Sequence, residues 1–266
     1  MWQFLPKLTT ELSDLVLARE CIGCKELGTF LCATCRYQVS GRAHTMRDLR
    51  FDGLAENLRI PLAIAYQYGP PIDAMIYRYK DNQIPELASV LSILLAGSIR
   101  QLELSVPASN QKPILIPIPS WHPSIKARGF DPLALISRHL SRAGYPIAHW
   151  LIDQRAAGRT KTLGTADRKN ASHDAFRVRP IPNHYVRNPI PAIVIDDLAT
   201  SGTTLTAAVS QLLLSGVQVT GCAAIAGTRK LKAIRNTSHL ARVSRGSTRN
   251  PPNPGAGRVF IYRAIR

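Results

Sequence analysis

The sequence predicts an α/β fold with a mostly parallel sheet, preceded by a small four-cysteine metal knuckle. Three observations carry this expectation. Two CxxC pairs stand near the N-terminus, and short apolar runs alternate with amphipathic segments over residues 61–227. The third is AIVIDDLATSGTTLTAA at 192–208, which passes from a buried strand through two carboxylates into hydroxyl residues at the mouth of a helix.

Bulk composition sets the limits. The chain has 266 residues, 45% of them apolar, enough for one large domain or two small ones around an ordinary core. Lys and Arg number 34 against 17 acids, a formal charge of +17 that favours polyanions: nucleic acid, phosphorylated ligands or anionic membrane surfaces. The surplus is uneven, because residues 228–266 hold ten Lys/Arg and no acid. The longest apolar stretch, near VLSILLAG at 90–97, falls short of the roughly 20 residues that span a bilayer, so no membrane insertion is expected.

Residues 1–60 are read as an N-terminal helix followed by the knuckle. Leu5, Leu8, Leu12, Leu15 and Val16 recur at helical spacing, while Lys7, Glu11 and Asp14 interrupt any signal-peptide core. A reducing, cytoplasmic setting is therefore expected, where clustered cysteines tend to bind metal. In CIGCKELGTFLCATC, Cys21 and Cys24 are separated from Cys32 and Cys35 by seven residues. Each CxxC turn can aim two thiolates at one tetrahedral ion, and Gly23 and Gly28 ease the tight backbone. Four thiolates leave no open coordination position, which points to a structural Zn²⁺; two disulfides or free thiols are the alternative. GRAHTMRDLRFDGLAENLRIP, residues 41–61, reads as connector, placing a boundary near residue 60.

Beyond it, LAIAYQY at 62–68 reads as a strand. Pro70 and Pro71 break the chain before IDAMIYRYKDN, a short helix, and ELASVLSILLAGSIRQLEL, a longer apolar one. PILIPI reads as a buried strand, DPLALISRHLSRAG as a helix, IAHWLI as a second strand and AIVID as a third. Strands alternating with helices predict parallel pairing through right-handed crossovers. Asp131 before Pro132 has the form of a helix N-cap. Cys222, within VTGCAAIA, reads as a buried packing thiol.

The opening motif then acquires a place. Ile193, Val194 and Ile195 form the strand, with Asp196 and Asp197 at its C-terminal end, where ligands of parallel sheets bind. Thr200, Ser201, Gly202, Thr203 and Thr204 follow, and the helix beyond carries Leu205, Val209 and Leu212. Such a loop can direct N–H groups and hydroxyls at a phosphate, with Gly202 allowing close approach. The carboxylates would accept hydrogen bonds from sugar hydroxyls, so a ribose 5-phosphate matches both features. The competing reading is a loop whose Asp and Thr side chains merely cap the next helix.

AIVIDDLATSGTTL resembles the ribose-phosphate signature of type I phosphoribosyltransferases, two acids ahead of a Thr/Ser-Gly-x-Thr loop. With the CxxC pairs, IYRYKDN, ILIPIPSWHPSIKARGFD and ADRKNASHDAF, residues 20–227 resemble the ComF family of competence and DNA-uptake proteins. The resemblance implies a zinc finger followed by a phosphoribosyltransferase-like domain, associated with single-stranded DNA and with a DNA-uptake ATPase as a possible partner. It implies a pyrophosphate loop at PIPSWHP, with Pro119 and Ser120 nearest the phosphates. It also implies chemistry at the anomeric carbon of phosphoribosyl pyrophosphate assisted by Mg²⁺, and leaves open whether this chain turns over. Where family members usually read RGFNQ, this chain reads RGFDP. His122 reads as a loop histidine between Trp121 and Pro123 rather than as a catalyst.

Two further stretches bear on nucleic acid. Residues 154–170 contain Arg155, Arg159, Lys161, Arg168 and Lys169 with one acid, Asp167, a loop able to close on pyrophosphate or track a DNA backbone, or else simply solvated. Arg128 joins them as a candidate nucleic-acid contact. Tyr66, Tyr68, Tyr77 and Tyr79 with Arg78 and Lys80 interleave rings and cations as single-strand binders do, though such tyrosines also pack cores. The basic end at 228–266 is read as an extension, with VFIYRAI as a possible terminal strand.

Overall fold

Near-continuous apolar runs of four to eight residues are what a strand covered on both faces requires, and the sheet is built from them. The computed structural model describes residues 20–40, 45–51, 58–82, 84–105, 111–154 and 175–228. Outside these lie the expected N-terminal helix, Arg155, Arg159, Lys161 and Arg168, and the basic end with VFIYRAI.

A five-stranded sheet has the order β1-β2-β7-β6-β3, built from Thr45–Phe51, Leu58–Gln67, Val219–Gly227, Ala192–Ala199 and Ile114–Pro117 respectively. β2, β7, β6 and β3 run parallel, and β1 pairs antiparallel with β2 along the edge. Together with the four cysteines clustered ahead of it, this is the α/β architecture expected from the alternation of runs. Pro61, which has no N–H to give a ladder, sits ahead of Leu62, where pairing with β7 begins.

Two segments depart from expectation. Residues 45–51 are strand β1 rather than connector, so one strand of the sheet lies on the finger side of residue 60. Its sequence, TMRDLRF, buries only Leu49 and Phe51, and charged residues on an exposed edge strand mask the alternation. IAHWLI does not add a strand to the parallel sheet. Ile147 makes one isolated parallel bridge to Leu115, and Leu151–Asp153 (β4) pairs antiparallel with Phe176–Val178 (β5) in a separate two-stranded sheet. Trp150 between them, packed edge-on against Tyr185 at 5.2 Å, supplies the apolar character that made the run look like one strand.

Helices cover the sheet. α1 (Ala33–Ser40) begins just after Cys32, carries Cys35 in its first turn and packs on α3 (Leu87–Ser105), and α3 lies along β2 and β7. The close approach of α3 depends on the small residues of β7: Ser98 donates to the Ala224 carbonyl at 3.0 Å, and a Cβ on Gly221 would stand 3.0 Å from the Leu102 methyls. By length and composition α3 could cross a membrane, yet 56% of its apolar window is buried, with Leu91, Leu95 and Ile99 sealed in the core. α2 (Ile72–Lys80) buries Ile72, Met75, Ile76 and Tyr79, one stripe of a helix, and leaves Lys80 at its end.

α4 (His122–Arg128), α5 (Pro132–Arg142), the short α6 (Asn183–Arg187) and α7 (Thr203–Leu214) complete the described helices. α4 begins inside the PIPSWHP stretch expected as loop, and HPSIKAR buries nothing and so carries no apolar period. Its sequence signals are Pro123 in the first turn and Gly129, whose φ of 77° closes the helix through a bond from its N–H to the Ile125 carbonyl. Asp131 caps α5 as expected, accepting from the N–H groups of Leu133 and Ala134 at 3.1 and 3.2 Å. Cys222 is fully buried, and burial, with Asp196 nearby, pushes its thiol well above the ordinary range.

Candidate functional site

Parallel pairing dictates where the chemistry-bearing residues meet. β3 and β6 are neighbours, with Pro117 opposite Ile195, and the Ile118 N–H donates to the Ile195 carbonyl at 3.0 Å. The segment leaving β3 therefore starts beside the last half of β6, Pro119 and Ser120 sharing a cleft with Asp196 and Asp197. An open cleft of about 250 Å³ at this edge is lined by these four residues with Lys80, Trp121, Arg128 and Thr204. Ile118, Ser124, Pro132, Leu133 and Leu198 complete the lining, in which Thr204 is the one residue of the Thr200–Thr204 loop.

The acidic pair is organised by its own backbone and by α2. The Asp197 N–H donates to Asp196 Oδ1 at 2.8 Å, and Asp197 Oδ2 pairs with Lys80 Nζ at 2.6 Å. Both side chains of that ion pair are shielded, 21% and 13% exposed. Lys80, noted in the sequence only among cations interleaved with tyrosines, thus belongs to the acidic pair. The signal was its place in α2, four residues beyond the buried Ile76. Arg128 is brought to the opposite wall, 3.7 Å from Asp81. The tyrosines divide: Tyr66 and Tyr79 are buried, whereas Tyr68 and Tyr77 are exposed. Burial, reinforced by Asp197 and Asp131, raises the Tyr79 phenol far above its usual range, so it stays a donor, to the Pro132 carbonyl at 2.6 Å.

Thr200 to Thr204 turn from β6 into α7. Gly202 has φ 80° and ψ −5°, a left-handed conformation that side chains resist, and its carbonyl accepts the Thr206 N–H at 2.8 Å. Ser201 and Thr203 share a hydroxyl–hydroxyl bond of 2.9 Å, and the Thr228 hydroxyl donates to the Thr200 carbonyl at 2.8 Å. The loop is therefore held at both ends, with the hydroxyls of Ser201 and Thr203 at the entrance of a twelve-residue helix. On the facing side the Ser120 hydroxyl donates to Asp131 Oδ1 at 2.8 Å, which fixes the start of the 119–121 segment to the α5 cap. Trp121, 48% exposed, stands at the rim, and His122 beside it opens α4 on the surface.

The four knuckle cysteines form a second constellation. Their sulfurs lie within 4.8 Å of one another, Cys24 and Cys32 at 3.6 Å, and none is in a disulfide. A tetrahedral ion with metal–sulfur bonds of about 2.3 Å separates its ligands by about 3.8 Å, so the cluster fits a metal such as zinc. Burial pushes the Cys21 thiol up, but the N–H groups of Cys24, Cys32 and Gly23 more than offset this and hold it at about 6; burial drives Cys35 to about 12. Gly23 is needed for space, since a Cβ there would stand 2.6 Å from Cys35 Sγ. The left-handed turn that closes the first knuckle falls on Lys25, at φ 68°, rather than on a glycine. Cys21, Ile22, Leu31, Cys32 and Cys35 belong to the same buried cluster as the sheet, so the knuckle is part of the core.

No family model matches the chain. Curated relatives called DNA utilization protein YhgH, from Escherichia coli K12 and Shigella flexneri, are 29% identical to it over 164 residues. The match takes in 58% of this chain, which spans 65% of the relatives' length.

Proposed function

We propose that the chain is a ComF-like accessory protein in the uptake or processing of single-stranded DNA, carrying a phosphoribosyl pocket on a scaffold stapled by structural Zn²⁺. One observation carries the pocket: Asp196 and Asp197, the Pro119–Ser120 segment and Thr204, the last residue of the hydroxyl loop, line one cleft at the C-terminal edge of a parallel sheet. The acids suit vicinal ribose hydroxyls, the loop a 5-phosphate, and Ser120 with Arg128 and Lys80 a diphosphate. The role in DNA rests on the name of the relatives, on the net charge of +17 and on the resemblance of the motifs. Arg155, Arg159, Lys161, Arg168 and the basic end are the proposed strand contacts, a DNA-uptake ATPase the proposed protein partner, and the cytoplasm the proposed site of action.

The retained acid pair favours a second reading, an active phosphoribosyltransferase that moves a phosphoribosyl group to a nucleobase or similar acceptor. Asp196 and Asp197 would hold the sugar while the anomeric carbon exchanges pyrophosphate for the acceptor. Mg²⁺ bound with the diphosphate would neutralise leaving-group charge. Purified protein incubated with phosphoribosyl pyrophosphate, Mg²⁺ and a panel of bases separates the two. Binding without pyrophosphate release supports the accessory reading; release dependent on one base makes the chain an enzyme; no binding removes the pocket from both.

A further inference from the structure

Three successive residues at the end of α2 reach three walls of the cleft. The Tyr79 hydroxyl holds the Pro132 carbonyl at the start of α5, Lys80 holds Asp197 on β6, and Asp81 pairs with Arg128 at the end of α4. The cations that line the cleft, Lys80 and Arg128, are thus each engaged by an acid, and Lys80 occupies one of the carboxylates suited to a sugar diol. A neutral hydroxyl displaces an ammonium from a shielded carboxylate poorly, because it brings no charge to replace it. A diphosphate changes the balance by offering Lys80 a more highly charged partner within the same cleft.

We propose that Lys80 is a specificity-determining residue: it occupies Asp197 until a ligand supplies a second anionic group, so the cleft selects a sugar phosphate bearing a diphosphate over the same sugar phosphate without one. The proposal rests on the phosphoribosyl reading and adds to it the coupling between the two ends of the ligand. When the diphosphate draws the ammonium away, Asp197 Oδ2 becomes an acceptor for a ribose hydroxyl. Sugar and diphosphate then bind more tightly together than their separate affinities predict.

Calorimetry on the full chain with Mg²⁺ tests this, using phosphoribosyl pyrophosphate, ribose 5-phosphate and inorganic pyrophosphate as probes. Lys80→Met should weaken phosphoribosyl pyrophosphate by about 10- to 100-fold, the loss of a charged hydrogen bond, while ribose 5-phosphate binds as well or better. Lys80→Arg should keep most of the discrimination. Asp197→Asn releases Lys80 without removing it, so inorganic pyrophosphate should bind as tightly or more tightly and phosphoribosyl pyrophosphate more weakly, while ribose 5-phosphate, from which Lys80 already withholds Asp197, changes little. Equal loss of both sugar ligands in folded Lys80→Met protein, or no change in either, overturns the proposal. If the unaltered chain binds phosphoribosyl pyrophosphate but discriminates no more than Lys80→Met does, the coupling fails and the pocket stands. If it binds none of the probes, the phosphoribosyl reading itself falls.

Discussion

Asp196 and Asp197 illustrate how adjacent identical residues acquire different work. Asp196 accepts its neighbour's N–H, whereas Asp197 reaches across to Lys80, so the pair presents one backbone-anchored and one ion-paired carboxylate to the cleft. Replacing both by Asn keeps size and polarity but removes the charge-assisted bonds, each contributing about 1.5–3 kcal/mol. Phosphoribosyl ligands should therefore bind at least tenfold more weakly, while circular dichroism and thermal midpoint show a folded chain. Gly202→Val should weaken the same ligands by forcing a β-branched side chain onto a φ of 80° where α7 begins. Unchanged affinity in both variants would reduce the motif to a helix entrance. These residues were legible because a strand, two acids and a hydroxyl loop are contiguous in sequence. Lys80 was not, since its meaning depends on a partner 117 positions away, as 197 less 80, brought close by the sheet. Ser120 shows the same limit from the other side: its place near the cleft could be named, but its bond to Asp131 needs the geometry of the α5 cap.

The knuckle is the element whose chemistry was most legible, because CxxC spacing fixes local geometry without help from the rest of the chain. What the spacing withheld is that Cys21, Cys32 and Cys35 are buried with the domain core, and that α1 leans on α3. Metal loss should consequently reach beyond the knuckle. Purified protein is expected to carry one tightly bound Zn²⁺, and Cys21→Ser or Cys35→Ser to lose it, since ion binding contributes directly to folding. Metal analysis with hydrogen exchange would check both halves: less than 0.2 Zn²⁺ per chain as a rough bound, and lost protection in residues 20–40 extending to α3. A folded, metal-free chain with four titratable knuckle thiols would refute the site. Strand β1 and helix α4 are the elements that sequence obscured. Each lies at an edge or on the surface, buries little, and so shows no period for a reader to follow.

At the scale of the whole molecule, charge and cleft make opposite demands. The cleft sets two carboxylates where phosphates would come, whereas the chain carries +17 overall, ten of its cations in residues 228–266. A deoxyribose strand lacks the 2′-hydroxyl that a diol-binding acid pair would use, so DNA is expected on the basic segments rather than through the cleft. If it binds by neutralising Z phosphates, log affinity should fall with log salt at a slope near about −0.7Z and depend little on base sequence. Deleting residues 228–266 should flatten that slope by roughly one unit or more, and changing Arg155, Arg159 and Lys161 to Ala should flatten it further. Asp196→Asn serves as the control: it relieves local repulsion, so DNA binding stays the same or strengthens slightly while the sugar-phosphate site is damaged. Fluorescence anisotropy of a labelled oligonucleotide from low to physiological salt, for each variant, measures all of these. A slope insensitive to both sets of cations would move the strand onto the cleft rim, where exposed Trp121 stands. Absence of binding even at low salt would leave the basic surface without a nucleic-acid role and the phosphoribosyltransferase reading in its place.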